Sequence, residues 1–484
     1  MMVNMPNILW ICTDQQRLDT LGCYGNPYVH TPNLDGLARS GVQFNHAYSQ
    51  NPVCAPSRAS FLTGRYPRVS RVRQNGQMIP KDEVLITKLL RDMGYNCGLA
   101  GKLHIAPCHA SVCKGTEARI DDGYSVFHWS HGSSMSDYSA NNEYHVWLRS
   151  QGLAYNTSPY QGSEQVQKGM PEAYHQTKWC TDRAIDFIEA NTACGDPWMF
   201  SLNYFDPHHP FDPPEEYLER YLPVLDEIPL PSYKPGELNN KSIFQQDENK
   251  NGGYNSMKEF RYDSMTERDH RLVKAAYWAM VDLIDHQVGR ILDVLKKNGQ
   301  LNNTLIIFTS DHGEMLGDHG IYLKGPFLYD CCVRVPLIIS YPGKIKPSIS
   351  DALVELIDLA PTILEATEST VYQGMQGKSL WNLLKNGADI PIHREEVMAE
   401  YYNAMTTHKS PAPYLTMIRT RQFKLVCQHG QEKGELYDMT KDPRESKNLW
   451  DDAGYFTIRV GLLKKMCDRM ALACDPLPVR QAEF

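Results

Sequence analysis

The 484-residue chain lacks any apolar run long enough to cross a membrane as a helix. It also lacks a basic leader followed by an apolar segment and a cleavage site; its opening, MMVNMPNILWICTDQQ, reads as a buried strand. These absences lead us to expect a soluble cytoplasmic protein, or a periplasmic or secreted one if a leader has been removed. Positive charge is in deficit: 49 Lys and Arg stand against 57 Asp and Glu, a net charge of −8. That argues against nucleic acid or an acidic membrane as a partner of the whole surface, but not against a small anionic substrate, because local charge sets a site. The 13 cysteines show no regular spacing, so reduced thiols are expected, with the adjacent Cys331 and Cys332 in the core. No internal repeat is present, and nothing in the sequence sets the oligomeric state.

Hydrophobic residues make up 42% and charged residues 22% of the chain, as in globular proteins. The length suits one large α/β domain and a smaller companion. Four short apolar runs have strand character, at 7–13, 96–101, 198–205 and 304–310, and each ends abruptly in polar residues: Asp14 and Gln15, Lys102 and His104, Asp206 with His208 and His209, Asp311 and His312. Such runs suit strands buried on both faces of a parallel sheet. Helical patterns at 82–93 and 266–298, stopped by Gly94 and Gly299, alternate with them. In parallel α/β sheets ligands bind outside the carboxyl ends of the strands, which is where all four runs deliver their polar residues. Residues 225–265 read as an insertion loop, and 105–170 as irregular. After about residue 370, YLTMIRTRQFKLVCQ and GELYDM read as antiparallel strands and 454–472 as a closing helix. The expected architecture is thus a large, mainly parallel sheet between helices in residues 1–370, with a smaller α+β domain and antiparallel sheet in 371–484.

Asp14, Gln15, Asp311 and His312 offer mostly oxygen ligands, which favours calcium or magnesium and leaves manganese or zinc open. Lys102, His104, His208 and Lys324 add positive charge and proton donors. A metal beside these groups suits phosphoryl or sulfuryl transfer, whose transition states spread charge over several oxygens. One stretch then needs explaining: NPVCAPSRASFLTGRYP, from Asn51. A helix start near Ser57 would lower a thiol pKa at Cys54. Cysteine-dependent phosphatases, however, place five residues between cysteine and arginine, whereas three separate Cys54 from Arg58. A thiolate also matches a hard-oxygen metal site poorly.

CAPSR at 54–58, followed by TGR, resembles the C-x-P-S-R signature of the sulfatase family. TDQQ at 13–16, GKLH at 101–104, DPHHPF at 206–211, SDHGEMLGDHG at 310–320 with Lys324, and ELYDMTKDPRESKNL at 435–449 resemble further family marks in the same order. The resemblance implies an alkaline-phosphatase-like fold and oxidation of Cys54 to formylglycine by a maturation enzyme. The hydrate of that aldehyde would supply a metal-held hydroxyl to attack sulfur, and its second hydroxyl would let the aldehyde re-form and expel sulfate. By resemblance, Asp14, Gln15, Asp311, His312 and oxidised Cys54 hold the metal, most simply calcium. Arg58 orients the diol, Lys102 and Lys324 grip sulfate, His208 protonates the leaving oxygen, and His104 takes the second proton. Asn75 is a candidate near the substrate, or a turn residue. Gln15 and His312 stand where many sulfatases have Asp and Asn. Phosphonate monoester hydrolases resemble the chain there, which keeps phosphonate or phosphodiester hydrolysis as the alternative. A metal-binding protein with unmodified Cys54, and a thiol-dependent phosphatase, are the rivals of other classes. His128, Trp129, His131 and Trp147 suit stacking on, or hydrogen bonding to, a sugar, so a carbohydrate sulfate is the expected substrate.

Overall fold

The computed structural model describes residues 5–133, 141–387 and 392–483. Part of the irregular 105–170 stretch lies outside them. The large sheet contains β1 (Asn7–Thr13), β2 (Val42–Tyr48), β3 (Asn96–Gly101) and β4 (Val126–Trp129). After a two-stranded ribbon, β5 (Ser158–Pro159) and β6 (Gln167–Lys168), it adds β7 (Trp198–Asn203), β8 (Thr304–Ser310), β9 (Arg334–Val335), β10 (Leu337–Ser340) and β11 (Ser348–Glu355). The strand order is β11-β2-β10-β8-β1-β7-β3-β4, with β9 paired to β2. Neighbours run parallel except at β10 and β9. The main strands therefore end at one common edge.

The central run NILWICT is apolar throughout because alternate side chains enter opposite cores. Ile8, Trp10 and Cys12 pack on one face with Phe61, Leu85 and Ile363; Leu9 and Ile11 pack on the other with Phe187, Ile284 and Val288. The long helix Glu267–Lys297 covers the second face. Thr266 caps it through a reciprocal exchange with Asp269, and Lys296 and Lys297 occupy its last turn, where cations suit the helix dipole.

The expected strand at 198–205 ends earlier, at Asn203, and the helix expected at 82–93 spans only Ile86–Asp92. Residues 225–265 are more than a loop, since they contain the helix Ile243–Asn251, capped by Ser242. Within 105–170, β4 extends the sheet edge and Glu143–Ser150 is a helix. Cys331 is partly exposed whereas Cys332 is buried.

Toward the C-terminus, β12 (Glu396–Tyr402), β13 (Tyr414–Thr420), β14 (Phe423–Gln428) and β15 (Gly434–Asp438) form an antiparallel four-stranded sheet in sequential order. The helix Phe456–Leu472 closes one face through Leu462 and Met466. Val397 and Ala399 on the other side meet Tyr48, Val53 and Leu353 of the large-sheet region. No described helix is long and apolar enough to cross a membrane.

Candidate active site and metal centre

The edge where β1, β2, β3, β7 and β8 end gathers the polar residues that the sequence places after them. One ligand atom from each of Asp14, Cys54, Asp311 and His312 lies within 4.8 Å of the others, and all four residues are buried. Asp14 follows β1 and Asp311 follows β8, strands that pair in register from Asn7↔Thr304 to Thr13↔Ser310. Adjacency of the two carboxylates is thus a consequence of strand pairing. Asp311 Oδ1 accepts the N–H of Gln15 at 3.0 Å and of His312 at 2.9 Å, which clamps both loops.

Cys54 is the first residue of the helix Cys54–Thr63, three residues earlier than expected. Pro56 is tolerated because its missing N–H falls in the unsatisfied first turn. All ten residues are buried, so this helix is enclosed on every side. Arg58 one turn on donates through Nε to Asp311 Oδ2 at 2.8 Å and through Nη1 to the Lys102 carbonyl at 2.7 Å. Asn75 accepts the Ala55 N–H at 3.0 Å, so it braces the helix start while also lining the cavity.

Lys102 and His104 leave β3 through a tight passage. A Cβ at Gly101 would sit 1.8 Å from the Asn203 carbonyl oxygen, and its φ is +101°, so glycine is required there. Gln15 (φ 66°) and His104 (φ 57°) both adopt the left-handed conformation, strained for such residues. The surroundings hold them. Tyr277 Oη donates to the Gln15 carbonyl. Glu117 accepts the N–H groups of His104 (2.8 Å), Ile105 (2.5 Å) and Ala106 (2.8 Å), together with the Trp129 indole N–H (3.0 Å).

Cations and carboxylates interlock around Cys54. Lys324 Nζ stands 3.0 Å from Cys54 Sγ and 2.7 Å from Gln15 Oε1, and Lys102 Nζ donates to Asp14 Oδ2. Burial and Asp14 disfavour a Cys54 thiolate, but Lys102, Lys324 and His312 outweigh them and the thiol pKa is lowered. Burial likewise opposes ionisation of Asp14, yet Lys102, His208, Lys324 and Arg58 hold it well below the usual carboxylate range. His104 and His208 are shifted well below the usual imidazole range, first by burial and then by their cationic and imidazole neighbours.

These residues fit a divalent cation. Two buried carboxylates balance its charge, and Gln15 presents its amide oxygen inward while its Nε2 donates to Glu314. His312 Nδ1 donates to the Gly313 carbonyl at 2.8 Å, so Nε2, 3.2 Å from Cys54 Sγ, is the nitrogen that a cation would take in place of a proton. Oxygen predominance matches calcium or magnesium.

Cys54, Asn75, Lys102, His104, His208 and Lys324 all line one cavity of about 580 Å³. His208 and His209 stack with ring centroids 4.1 Å apart, and both face it. Of the residues expected to meet a sugar, only His131 reaches the cavity. Trp129 is buried on Glu117, Trp147 stacks on Tyr144, and His128 pairs with Glu143. The aromatic walls are instead Phe205, Tyr155, Tyr254 and Phe260. Sequence reasoning missed these, along with Glu117 and Glu314. For Glu314 a signal existed, its place in the SDHGE run.

Comparison with known proteins identifies the family. The chain belongs to the sulfatase family: the Sulfatase model matches residues 6–369. A second model, the N-sulphoglucosamine sulphohydrolase C-terminal region, matches residues 317–471. An arylsulfatase of Clostridium perfringens is 30% identical over 95% of this chain and 93% of its own. An N-acetylglucosamine-6-O-sulfatase of Bacteroides thetaiotaomicron is 28% identical over 93% of this chain and 83% of its own. Among solved structures, a phosphonate monoester hydrolase of Agrobacterium radiobacter superposes with a TM-score of 0.80 at 25% identity, over 99% of this chain and 98% of that one. The fold is that of the alkaline phosphatase superfamily, and the chain is a hydrolase of the sulfatase class.

Proposed function

We propose that this enzyme hydrolyses a sulfate monoester, most simply that of a carbohydrate, with residue 54 as nucleophile after oxidation to formylglycine. The observation that carries the reading is the placement of Cys54 at a helix start, between the Asp14–Asp311–His312 group and a cavity lined by Lys102, Lys324, His104 and His208.

A divalent cation held by Asp14, Gln15, Asp311 and His312 would supply Lewis acidity and a lowered pKa for an oxygen nucleophile at position 54. Formylglycine, as its hydrate, would supply that nucleophile and, by re-forming its carbonyl, a way to shed sulfate. The remaining work falls to the side chains. Lys102 and Lys324 hold sulfate oxygens and balance charge that grows in the transition state. His208 Nδ1 donates to the His209 carbonyl at 2.5 Å, which fixes the ring so that Nε2 is the nitrogen able to pass a proton to the departing alcohol. Burial above all, and then Lys324, depresses His208; the negative charge of an arriving sulfate offsets the lysine part of that depression. His104 takes the proton from position 54 that lets sulfate leave. Arg58, anchored on Asp311, orients position 54. Glu164, Gln165, Gln167 and Tyr254 on the outer wall offer hydrogen bonds and an aromatic face to a polyhydroxylated alcohol. We further propose that residues 1–370 form the catalytic domain and 371–484 a smaller supporting one, and that a formylglycine-generating enzyme is a maturation partner.

Gln15 and His312 favour one second reading, hydrolysis of phosphonate monoesters or phosphodiesters by the same site. The deciding experiment compares kcat/KM for an aryl sulfate, a panel of sulfated sugars and an aryl phosphonate monoester on one preparation. Sulfate ester turnover above phosphonate turnover is expected. The reverse order would replace the first reading with the second.

A further inference from the structure

A second group of metal-ligating side chains stands beside the first, with different chemistry. His104 follows β3, His131 follows β4, and Cys108 lies on the loop between; one ligand atom from each falls within 4.8 Å of the other two. All three are buried, at 7%, 2% and 4% exposure for His104, His131 and Cys108. The two imidazoles meet edge to face with centroids 4.4 Å apart. His104 Nδ1 is buried and has no hydrogen-bond partner among the described residues.

This group is held as a unit. Glu117 accepts the N–H groups of His104, Ile105 and Ala106 and the indole of Trp129, so one carboxylate ties the loop carrying Cys108 to the strand leading into His131. Cys108 Sγ sits 3.2 Å from the Ala106 carbonyl within that loop. The site also has an entrance, because His104 and His131 both line the cavity. Its donors are two imidazoles and a thiol, a softer set than the oxygen-rich group around Asp14. Such a set prefers zinc or a similar borderline-soft ion over calcium or magnesium.

We propose that His104, Cys108 and His131 form an inhibitory binding site for a borderline-soft divalent cation such as zinc, which enters through the cavity and removes His104 from proton transfer. The ion replaces the thiol proton of Cys108, which is released, and three protein donors leave one position for water. The inhibitory part rests on the role given to His104 in hydrolysis; the binding part does not.

The test titrates cobalt(II), as a spectroscopic stand-in for zinc, into the calcium-loaded enzyme and into its Cys108→Ser and His131→Gln variants, with thermal melts to show that each is folded. The expected result is a thiolate-to-cobalt charge-transfer band of one equivalent that both variants lose. Zinc should inhibit the parent and inhibit Cys108→Ser at least ~10-fold less tightly, with the activity of Cys108→Ser in the absence of zinc unchanged. A band absent from the parent, or retained in both variants, would overturn the site. A band that follows the variants without zinc inhibition would overturn the inhibitory role and place the fault in the assignment of His104, not in the binding site.

Discussion

At the edge of the large sheet, Arg58 and Lys102 are buried against Asp14 and Asp311, and Lys324 against Cys54 and Gln15. Where the large sheet meets the small one, Arg394 is buried against Glu355 and Asp358, and Lys424 against Asp330 and Glu445. The residue types are the same and the outcomes differ. In the second group each cation is spent on carboxylates, and Lys424 also donates to the Leu328 carbonyl at 2.9 Å. Burial opposes ionisation of Asp358, but Arg394 and His393 outweigh it and hold the carboxyl far below its ordinary range. This group is closed. In the first, cations outnumber carboxylates, and Lys102 and Lys324 face a cavity. Buried charge alone therefore does not mark a site; an excess of one sign turned toward space does.

The contrast breaks most visibly at the metal group. Strong chelation, or Asp311→Ala, should lower kcat/KM for an aryl sulfate by on the order of 10³-fold or more, and calcium should restore the chelated enzyme but not the variant. Normal turnover in Asp311→Ala would end the hydrolase account. Next comes Lys324→Met, for which kcat/KM should fall roughly 10²–10³-fold. Its thermal midpoint should not drop, because the substitution relieves an excess of buried positive charge. The mirror experiment is Arg394→Met, which leaves Glu355 only Arg469 and Asp358 only His393 as a cationic neighbour. Unfolding free energy should decrease by roughly 3–5 kcal/mol while kcat of the folded fraction stays near the parent's. If Lys324→Met destabilised and Arg394→Met inactivated, the two groups would have been assigned the wrong way round.

The smallest effect concerns Glu248, on the helix Ile243–Asn251 behind Lys324. Burial pushes its carboxyl from 4.5 to about 8, although the backbone N–H groups of Asn255 and Tyr254 work the other way. The folded value is raised above the unfolded one. The associated stability is then fully present below about 4.5 and is lost as pH rises through about 8. Thermal midpoints measured across that window should decline in the parent and decline less in Glu248→Gln; equal slopes would remove Glu248 from the explanation.

Much of the large sheet was legible because β1, β3, β7 and β8 are buried on both faces, so their composition alone marks them. The site was legible for a related reason: polar residues directly after such strands must emerge at one edge. What escaped notice was whatever depends on distant pairing. Toward one side of the sheet β2 and β11 carry mixed sequences and β10 has only four residues, and the helix Gln176–Cys194 hides its periodicity among polar residues. Glu117 looks like any loop glutamate until its four N–H donors are seen. Trp129 and Trp147 drew attention as sugar contacts because aromatic content reads clearly in a sequence, whereas the direction a ring faces does not. Tyr254 and Tyr155 reach the cavity only through the folding of segments that looked irregular.

The central proposal is chemical: oxidation would replace the cysteine at position 54 with formylglycine in the mature enzyme. The most direct measurement is the mass of the peptide spanning residue 54, from protein made in its native host, with hydrazide capture of any aldehyde. The account predicts loss of the thiol sulfur and a carbonyl that the hydrazide traps. An intact, alkylatable thiol at Cys54 in that preparation would contradict it and leave a metal-binding protein without this route to hydrolysis.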